Sequence, residues 1–286
     1  LFSQNLKRNK FEVNKQLAEN FFIQNLYNDG AIATNPGNME FVEEYATGNQ
    51  VLSESQGLWM QYCLLINDQK NFDKAYNFLK GKMIINNFIS YRYVSEGELF
   101  NVTSAVDDFR IVGALLEAQV KWGNDKYKDR AIEYSQTMYE TIIQKDNVVD
   151  FYDITYSAAG GCLTLCYADF KTMDTLIHVD ERWKPIFDNS LKIIKEGYLG
   201  DSFPCFASFF DYSSNTYNTQ QINMVQSLIT AIHLADVNQC PEQTIDFIEK
   251  KVKSEELFGS YLRTGEPIDN VNSTAVYALA AILGSK

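Results

Sequence analysis

The sequence of 286 residues has little histidine, few basic residues and no long apolar run. Its two histidines, His178 and His233, lie far apart, and no G-x-S-x-G, H-E-x-x-H, Walker or G-x-G-x-x-G motif occurs, which excludes the common serine hydrolases, zinc proteases and nucleotide-binding enzymes. With 25 basic against 37 acidic residues the formal charge is -12, and we expect no nucleic-acid partner. No stretch reaches the roughly 20 apolar residues of a membrane span.

Cysteine is also scarce, and its number is odd. The five cysteines do not suggest a disulfide framework in a chain of this size. Cys162 and Cys166 are spaced to share one helical face, but no histidine pair or second cysteine pair lies nearby to complete a zinc site. We therefore expect no metal and no cofactor.

Helical periodicity dominates what is present. Apolar residues recur at a spacing of three to four almost everywhere, and alternating strand patterns are rare. Without a long linker, the chain is predicted to be one all-α domain over 1–286, a toroid of helical hairpins and a monomer. The predicted helices are 11–27, 54–67, 71–85, 106–122, 126–144, 160–177, 182–196, 217–236, 241–252 and 272–283.

In the absence of other catalytic motifs, carboxylates are the remaining candidates. Two carboxyl groups can hydrolyse a glycosidic bond without metal, one as acid and one as base. Two predicted helix starts carry acids beside serine, at Ser53-Glu54 and Ser104-Ala105-Val106-Asp107. Such acids also suit a capping box and the helix dipole, so a purely structural role for Glu54 is an alternative interpretation.

Three longer motifs favour a catalytic role. The segment S-E-S-Q-G-L-W-M at 53–60 is similar to S-E-G-Q-G-Y-G-M, and N-D-Q-K-N-F-D at 67–73 is similar to D-Q-x-x-F-D. Residues 106–123 are similar, without a gap, to D-x-D-x-x-I-A-x-A-L-L-x-A-x-x-x-W-G, with Val106 at the first aspartate and Val112 at the first alanine. These patterns resemble glycoside hydrolase family 8, in its endoglucanase-like and chitosanase-like, exopolysaccharide-associated bacterial members.

The resemblance implies an (α/α)6 barrel with a sugar groove at the N-termini of its inner helices. Glu54 would be the general acid, which must hold its proton near neutral pH through burial and neighbouring carboxylates. The central sugar would be bound by Asp108, which keeps strict register, or by Asp107 after a shift of one residue. Val106 replaces the first aspartate of the family pattern.

The chain departs from the family at the water-activating base. Where many members have Y-D-x-x-R, residues 217–221 are Y-N-T-Q-Q, with neither the acid nor the arginine. Asp211 is the nearest substitute and Asp153 the second choice. Trp59, Tyr156 and Tyr212 are the aromatic candidates for stacking on sugar rings.

These features predict an inverting, endo-acting hydrolase of a β-linked polysaccharide, with a biofilm exopolysaccharide as the expected substrate. The chain starts at Leu1 rather than Met, and an extracellular or cell-surface location, with an N-terminal anchor removed, is expected. One alternative is a non-catalytic or weakly active carbohydrate-binding protein on the same fold. Another is a different (α/α)-barrel enzyme, such as an unsaturated uronyl hydrolase.

Overall fold

The computed structural model describes residues 2–94 and 98–286, and helices dominate both ranges. These ranges contain ten α-helices and one short 3-10 helix at Leu165–Tyr167. The α-helices are α1 (Phe2–Asn25), α2 (Ser53–Ile66), α3 (Gln69–Lys82), α4 (Ala105–Trp122), α5 (Asp125–Thr141), α6 (Phe170–Ile177), α7 (Trp183–Glu196), α8 (Met224–Ala235), α9 (Glu242–Lys253) and α10 (Thr274–Leu283).

Inner and outer helices alternate along the chain. The inner helices α2, α4, α6, α8 and α10 pack side by side in that order, and α3, α5, α7 and α9 cover them from outside. Helix α4 is the most deeply placed, since both of its first-turn acids and nearly all of its apolar side chains are buried. This alternation is the architecture that the periodicity predicted.

Short strands connect the helices at one end of the molecule. They are β1 (Tyr27–Asn28), β2 (Ala31–Ile32), β3 (Val51–Leu52), β4 (Ile84–Ile85), β5 (Phe88–Ile89), β6 (Arg92–Tyr93), β7 (Ile143–Gln144), β8 (Asn147–Val148), β9 (Tyr152–Asp153), β10 (Ala158–Ala159), β11 (Cys162–Thr164), β12 (Phe209–Asp211), β13 (Thr216–Asn218), β14 (Gln221–Asn223) and β15 (Ser260–Leu262). All the pairings among them are antiparallel.

Three of these hairpins repeat one device. The pairs β1–β2, β4–β5 and β7–β8 follow the outer helices α1, α3 and α5, and each is closed by two residues of positive φ. These residues are Asp29-Gly30, Asn86-Asn87 and Lys145-Asp146. Positive φ at both central positions is what a type I′ turn requires. Each hairpin returns the chain tightly, so that the next inner helix begins at the same end of the barrel.

The observed boundaries differ from the predicted ones at two inner helices. The region predicted as helix 160–177 contains β11 and the 3-10 helix before α6 begins, and residues 217–223 lie in β13 and β14 rather than in α8. Cys162 and Cys166 therefore do not share an α-helical face. Both of these regions directly precede inner helices, at the end of the barrel where the short strands lie. There, backbone pairing between loops outweighs local helical preference.

The structural evidence bears on two further predictions. In residues 2–94 and 98–286, no helix combines the length and the apolar character needed to cross a membrane. The apolar core is one continuous cluster that includes residues from α2 to α10. The extent of the domain, 1–286, stays a prediction.

A glycine sets the distance between two inner helices and gives a test of the packing. A Cβ on Gly113 of α4 would lie 2.3 Å from Oγ1 of Thr172 in α6, whose hydroxyl donates to Asp169. Gly113→Ala is expected to destabilise the fold by about 1 to 3 kcal/mol, the usual range for overpacking. Urea unfolding measures this. The control is Gly81→Ala in α3, where a Cβ meets nothing within 4 Å, and equal stabilities of the two variants would contradict the packing described.

Candidate active site

Glu54 lies in the first turn of α2, where the strand pair β3–β6 delivers the chain to the helix. Its side chain is 53% exposed, so the carboxyl group is open to solvent at the barrel end. This position agrees with a role at a groove, but the burial expected for a general acid is not met by protein atoms alone.

Asp107 lies beside Glu54, in the first turn of the neighbouring inner helix α4. Oγ of Ser53 donates a hydrogen bond of 2.7 Å to Oδ2 of Asp107, and Nη1 of Arg110 lies 2.9 Å from Oδ1. The same Nη1 lies 3.9 Å from Oε1 of Glu54. Two carboxylates from adjacent helices thus share one guanidinium.

The environment of Asp107 sets its charge. Burial raises the pKa of Asp107 to about 6, against the opposing effects of the Arg110 guanidinium and the Ser53 hydroxyl. The charge of Glu54 raises this pKa further. Asp107 is therefore mostly ionised at neutral pH, and it takes up a proton in mildly acidic solution.

The predicted capping boxes do not form. The Ser53 hydroxyl bonds to Asp107 instead of a first-turn amide, and the Gln56 side chain accepts from Ile32 N and donates to the Gly30 and Ala75 carbonyls. Neither α2 nor α4 has a side-chain hydrogen bond at its N-cap. At α2, tertiary partners replace the local ones.

Asp108 points away from this cluster, and its proposed contact with the central sugar is not compatible with the structure. Its side chain is buried and lines a cavity of about 10 Å³ with Thr103, Tyr134 and Thr141, between α4 and α5. Oδ1 of Asp108 has no hydrogen-bond partner, and burial together with the charge of Asp107 raises its pKa well above the usual value. Helical geometry explains this, because adjacent residues project about 100° apart.

Trp59 also faces away from the groove. Its ring stacks on Phe22 of α1 at 4.6 Å and packs against Tyr27 and Tyr62. It fills the contact between α1 and α2, so the expected sugar stacking on Trp59 is not compatible with this position. Trp59 is close to Glu54 in sequence, but five residues of helix place it more than one turn further along α2.

The two candidate tyrosines have different surroundings. Tyr156 is 80% exposed at the tip of the β9–β10 hairpin, where its ring is free to contact a ligand. Tyr212 is partly buried, packs edge-on against Phe210 and donates from its hydroxyl to the Val148 carbonyl at 2.7 Å. Sugar binding by either residue stays a prediction, and that of Tyr212 conflicts with its use as a packing residue.

Asp211 closes the β12–β13 hairpin. Its Oδ1 accepts hydrogen bonds from the backbone of Ser213 and Ser214 and from the Ser213 hydroxyl, which lower its pKa to about 2. Within residues 2–94 and 98–286, no hydrogen bond or ion pair joins Asp211 to Glu54, Asp107 or Arg110. Asp153, the second choice, accepts from the Tyr156 amide in the neighbouring hairpin.

Asp150 is a carboxylate that the sequence analysis missed. Its backbone carbonyl accepts from the first amide of α4, at Ala105, and its carboxyl oxygens accept from Thr164 N at 2.6 Å and Thr164 Oγ1 at 2.7 Å. Burial raises its pKa. The pKa of the nearby Tyr167 is also raised. Burial is the main cause, and the charges of Asp150, Asp107 and Glu54 contribute.

Arg110 is the other missed residue, and a sequence signal for it exists. It stands in the apolar run F-R-I-V-G-A-L-L, one helical turn after Asp107. A charge in such a run is buried only when it is paired, so Arg110 and Asp107 predict each other.

One family model matches part of the chain. Residues 26–158, which include Glu54, Asp107, Arg110 and Asp150, match the family model described as Glycosyl hydrolases family 8. The chain is 28% identical over 279 residues to YdaJ of Bacillus subtilis (strain 168), which is named as a candidate lipoprotein; the match covers 95% of this chain and 72% of YdaJ.

Solved structures are similar over nearly the whole chain. A structure described as a novel alpha-amylase from Clostridium perfringens has a TM-score of 0.86 and 28% identity, covering 93% of this chain and 79% of that one. Endoglucanase Cel10 from Klebsiella pneumoniae, described as a family 8 glycosyl hydrolase, has a TM-score of 0.73 at 14% identity, covering 93% and 88%, and shows the fold alone. The predicted resemblance, the (α/α)6 barrel and the glycoside hydrolase class are confirmed.

The buried acid Asp108 makes stability depend on pH in a defined direction. Above about pH 3.8 the unfolded chain releases the proton of Asp108 while the folded chain keeps it, so this residue lowers stability as pH rises. Asp108→Asn removes the titration. We expect its unfolding free energy, relative to the wild type, to increase between pH 5 and pH 7 by up to about 1.4 kcal/mol per pH unit.

Urea unfolding at both pH values measures this difference. Asp125→Asn on the exposed start of α5 is the matched control. A difference between Asp108→Asn and wild type that stays constant with pH would contradict a protonated Asp108.

Proposed function

We propose that this chain, whose residues 26–158 belong to glycoside hydrolase family 8, is an inverting, endo-acting hydrolase of a β-linked polysaccharide. The observation that carries the proposal is the meeting of Glu54 and Asp107 at the first turns of α2 and α4. An exposed carboxyl group stands beside a buried, paired one. Exposure lets Glu54 reach a glycosidic oxygen, whereas Ser53 and Arg110 fix Asp107 in place. A sugar bound over Glu54 would supply the burial that a general acid requires.

Glu54 is the general acid in this proposal. Its exposed carboxyl group points out of the barrel end, where it can protonate the oxygen of a glycosidic bond lying across the helix N-termini. Asp107 binds the central sugar, because its carboxylate is fixed by Ser53 and Arg110 and cannot rotate away. A fixed carboxylate beside the ring favours the distorted sugar that precedes cleavage.

In this proposal the base is a carboxylate of the loops that connect the helices. Asp211 has the weaker basicity, since its pKa of about 2 leaves little driving force for proton abstraction from water. Burial raises the pKa of Asp150, which lies at the start of α4. The charges of Asp150, Glu54 and Asp107 all raise the pKa of Tyr167. Chemistry therefore favours Asp150 over Asp211 and Asp153.

The substrate proposal is a β-linked polysaccharide of the cell surface or biofilm matrix. It is supported by the family match and by the likeness in fold to endoglucanases, and the name of YdaJ supports an extracellular or surface location. A second candidate is endo-hydrolysis of an α-linked glucan. The likeness to the Clostridium perfringens amylase, at 28% identity and a TM-score of 0.86, favours that alternative.

Replacement of Glu54 tests the catalytic proposal. With Glu54→Gln, cleavage is expected to fall by about 10²- to 10⁴-fold because the amide cannot protonate the leaving oxygen. Binding of the same oligosaccharide is expected to persist, since the shape of the side chain is kept. The matched control is Glu117→Gln. Glu117 lies on α4 and forms an exposed ion pair with Lys171 of α6, and this variant is expected to keep full activity.

The measurement is reducing-end release from β-glucan, chitosan, xylan, bacterial exopolysaccharide and starch, with binding followed by calorimetry. Release from starch alone would establish the α-glucan alternative. Unchanged turnover in Glu54→Gln would exclude Glu54 as the acid. Binding by the wild type without release of reducing ends from any of these polysaccharides would favour a non-catalytic, carbohydrate-binding role.

The base is tested by chemical rescue. Asp150→Ala, Asp211→Ala and Asp153→Ala remove the three carboxylates one at a time, and we expect the largest loss of activity, about 10²-fold or more, for Asp150→Ala. Because Asp150 also holds Thr164, structural damage alone would lower activity. Added azide is an anionic nucleophile that needs no base. It attacks the anomeric carbon in place of water while the glycosidic C–O bond breaks and Glu54 protonates the leaving oxygen, so it is expected to restore activity to Asp150→Ala and to form a glycosyl azide.

Mass spectrometry of the products detects that azide. Rescue of Asp211→Ala instead would establish Asp211 as the base. A loss in Asp150→Ala without azide rescue would make that residue structural.

A further inference from the structure

Arg110 is a charged side chain among apolar residues in the second turn of α4, and it contacts two carboxylates. Its side chain is 9% exposed, and its Nη1 atom lies 2.9 Å from Oδ1 of Asp107 and 3.9 Å from Oε1 of Glu54. One nitrogen therefore sets the distance between two carboxylates on different helices. A planar guanidinium holds such a geometry better than an ammonium group, because its donors have fixed directions.

Gly57 of α2 makes this position available. A Cβ at Gly57 would lie 3.1 Å from Cδ and 3.2 Å from Cγ of Arg110, and 3.3 Å from Cγ1 of Ile111. The aliphatic part of Arg110 thus lies directly on the backbone of α2, in the space where any other residue would place a side chain. Gly57 comes three residues after Glu54. The glycine that Arg110 packs on and the exposed acid therefore lie in the same turn of α2.

We infer that Arg110, seated on Gly57, is the positioning residue that holds Asp107 and Glu54 in register for cleavage of the glycosidic bond. The inference rests on the proposed function for the roles of Glu54 and Asp107. Arg110 acts through the two carboxylates that it contacts.

Arg110 also keeps Asp107 charged. A buried carboxylate without a partner binds a proton at neutral pH, and Arg110 offsets that tendency. Besides Arg110, the titratable groups around this pair are Glu54 from α2, Asp108 from α4, Cys166 and Tyr167 from the 3-10 helix, and His233 from α8. Burial lowers the pKa of His233, so Arg110 is the positive charge of this group at neutral pH.

Three variants separate positioning from mere packing. Arg110→Met keeps the aliphatic length but removes the charge. Gly57→Ala keeps the charge, but its added methyl group occupies the space in which the aliphatic part of Arg110 lies. For both we expect kcat to fall by about 100-fold with little change in KM, the effect of misplaced reacting groups. Arg110→Lys restores the charge without the fixed fork and is expected to recover part of kcat.

Matched controls exist for both substitutions. Arg130→Met removes an exposed arginine that pairs with Glu133 on α5, and Gly81→Ala adds a methyl group in open space on α3. Both controls are expected to keep wild-type kcat and KM. Circular dichroism confirms that each variant compared is folded, and if Arg110→Met fails to fold, Gly57→Ala supplies the same test.

A second readout does not depend on activity. The pKa of Asp107, followed by carbon-13 NMR of its carboxyl group, is expected to be higher in Arg110→Met than in the wild type, because burial is no longer offset. Unchanged kcat, or an unchanged Asp107 pKa, in folded Arg110→Met would overturn the inference. If the wild type cleaves no glycan, the proposed function fails, and the titration alone decides whether Arg110 controls Asp107.

Discussion

The pairing of Arg110 with Asp107 is the interaction on which the arrangement of the site depends. It lies at the first turn of α4, and the hydroxyl of Ser53 in α2 completes it. A buried ion pair adds little to stability unless its geometry and remaining hydrogen bonds are satisfied, but the loss of one partner is costly. This pair therefore fixes how α2 and α4 meet at the barrel end, and Glu54 takes its place from that contact.

The fold supplies this meeting point by simple means. Outer helices return the chain through two-residue hairpins such as Asp29-Gly30 and Asn86-Asn87, where positive φ is tolerated by glycine and asparagine. Each return sets the next inner helix in the same direction, so helix N-termini and their partial positive charge gather at one end. The first turns of α2 and α4 carry the acidic residues Glu54, Asp107 and Asp108.

Much of the fold was predictable from the sequence, since inner and outer helices both show the 3.6-residue period, and the motifs around Glu54 identified the first half of the barrel. The direction of individual side chains was not. Asp107 and Asp108 differ by one residue, yet one faces Glu54 and the other a cavity between α4 and α5. Trp59 was predicted to stack on sugar but packs on Phe22, because α1 covers that side of α2.

The carboxylates of the loops were the least predictable part. Asp211 was chosen by its distance in sequence from a missing motif, whereas its environment follows from the hairpin turn that it closes. Asp150 gave no motif, and only tertiary contacts bring it to the start of α4.

An inverting reaction with Glu54 as the acid is tested most directly by proton NMR of the first product formed from a cleaved β-linked substrate. The new reducing end is expected to appear first as the α-anomer and then to mutarotate, whereas initial formation of the β-anomer would contradict inversion.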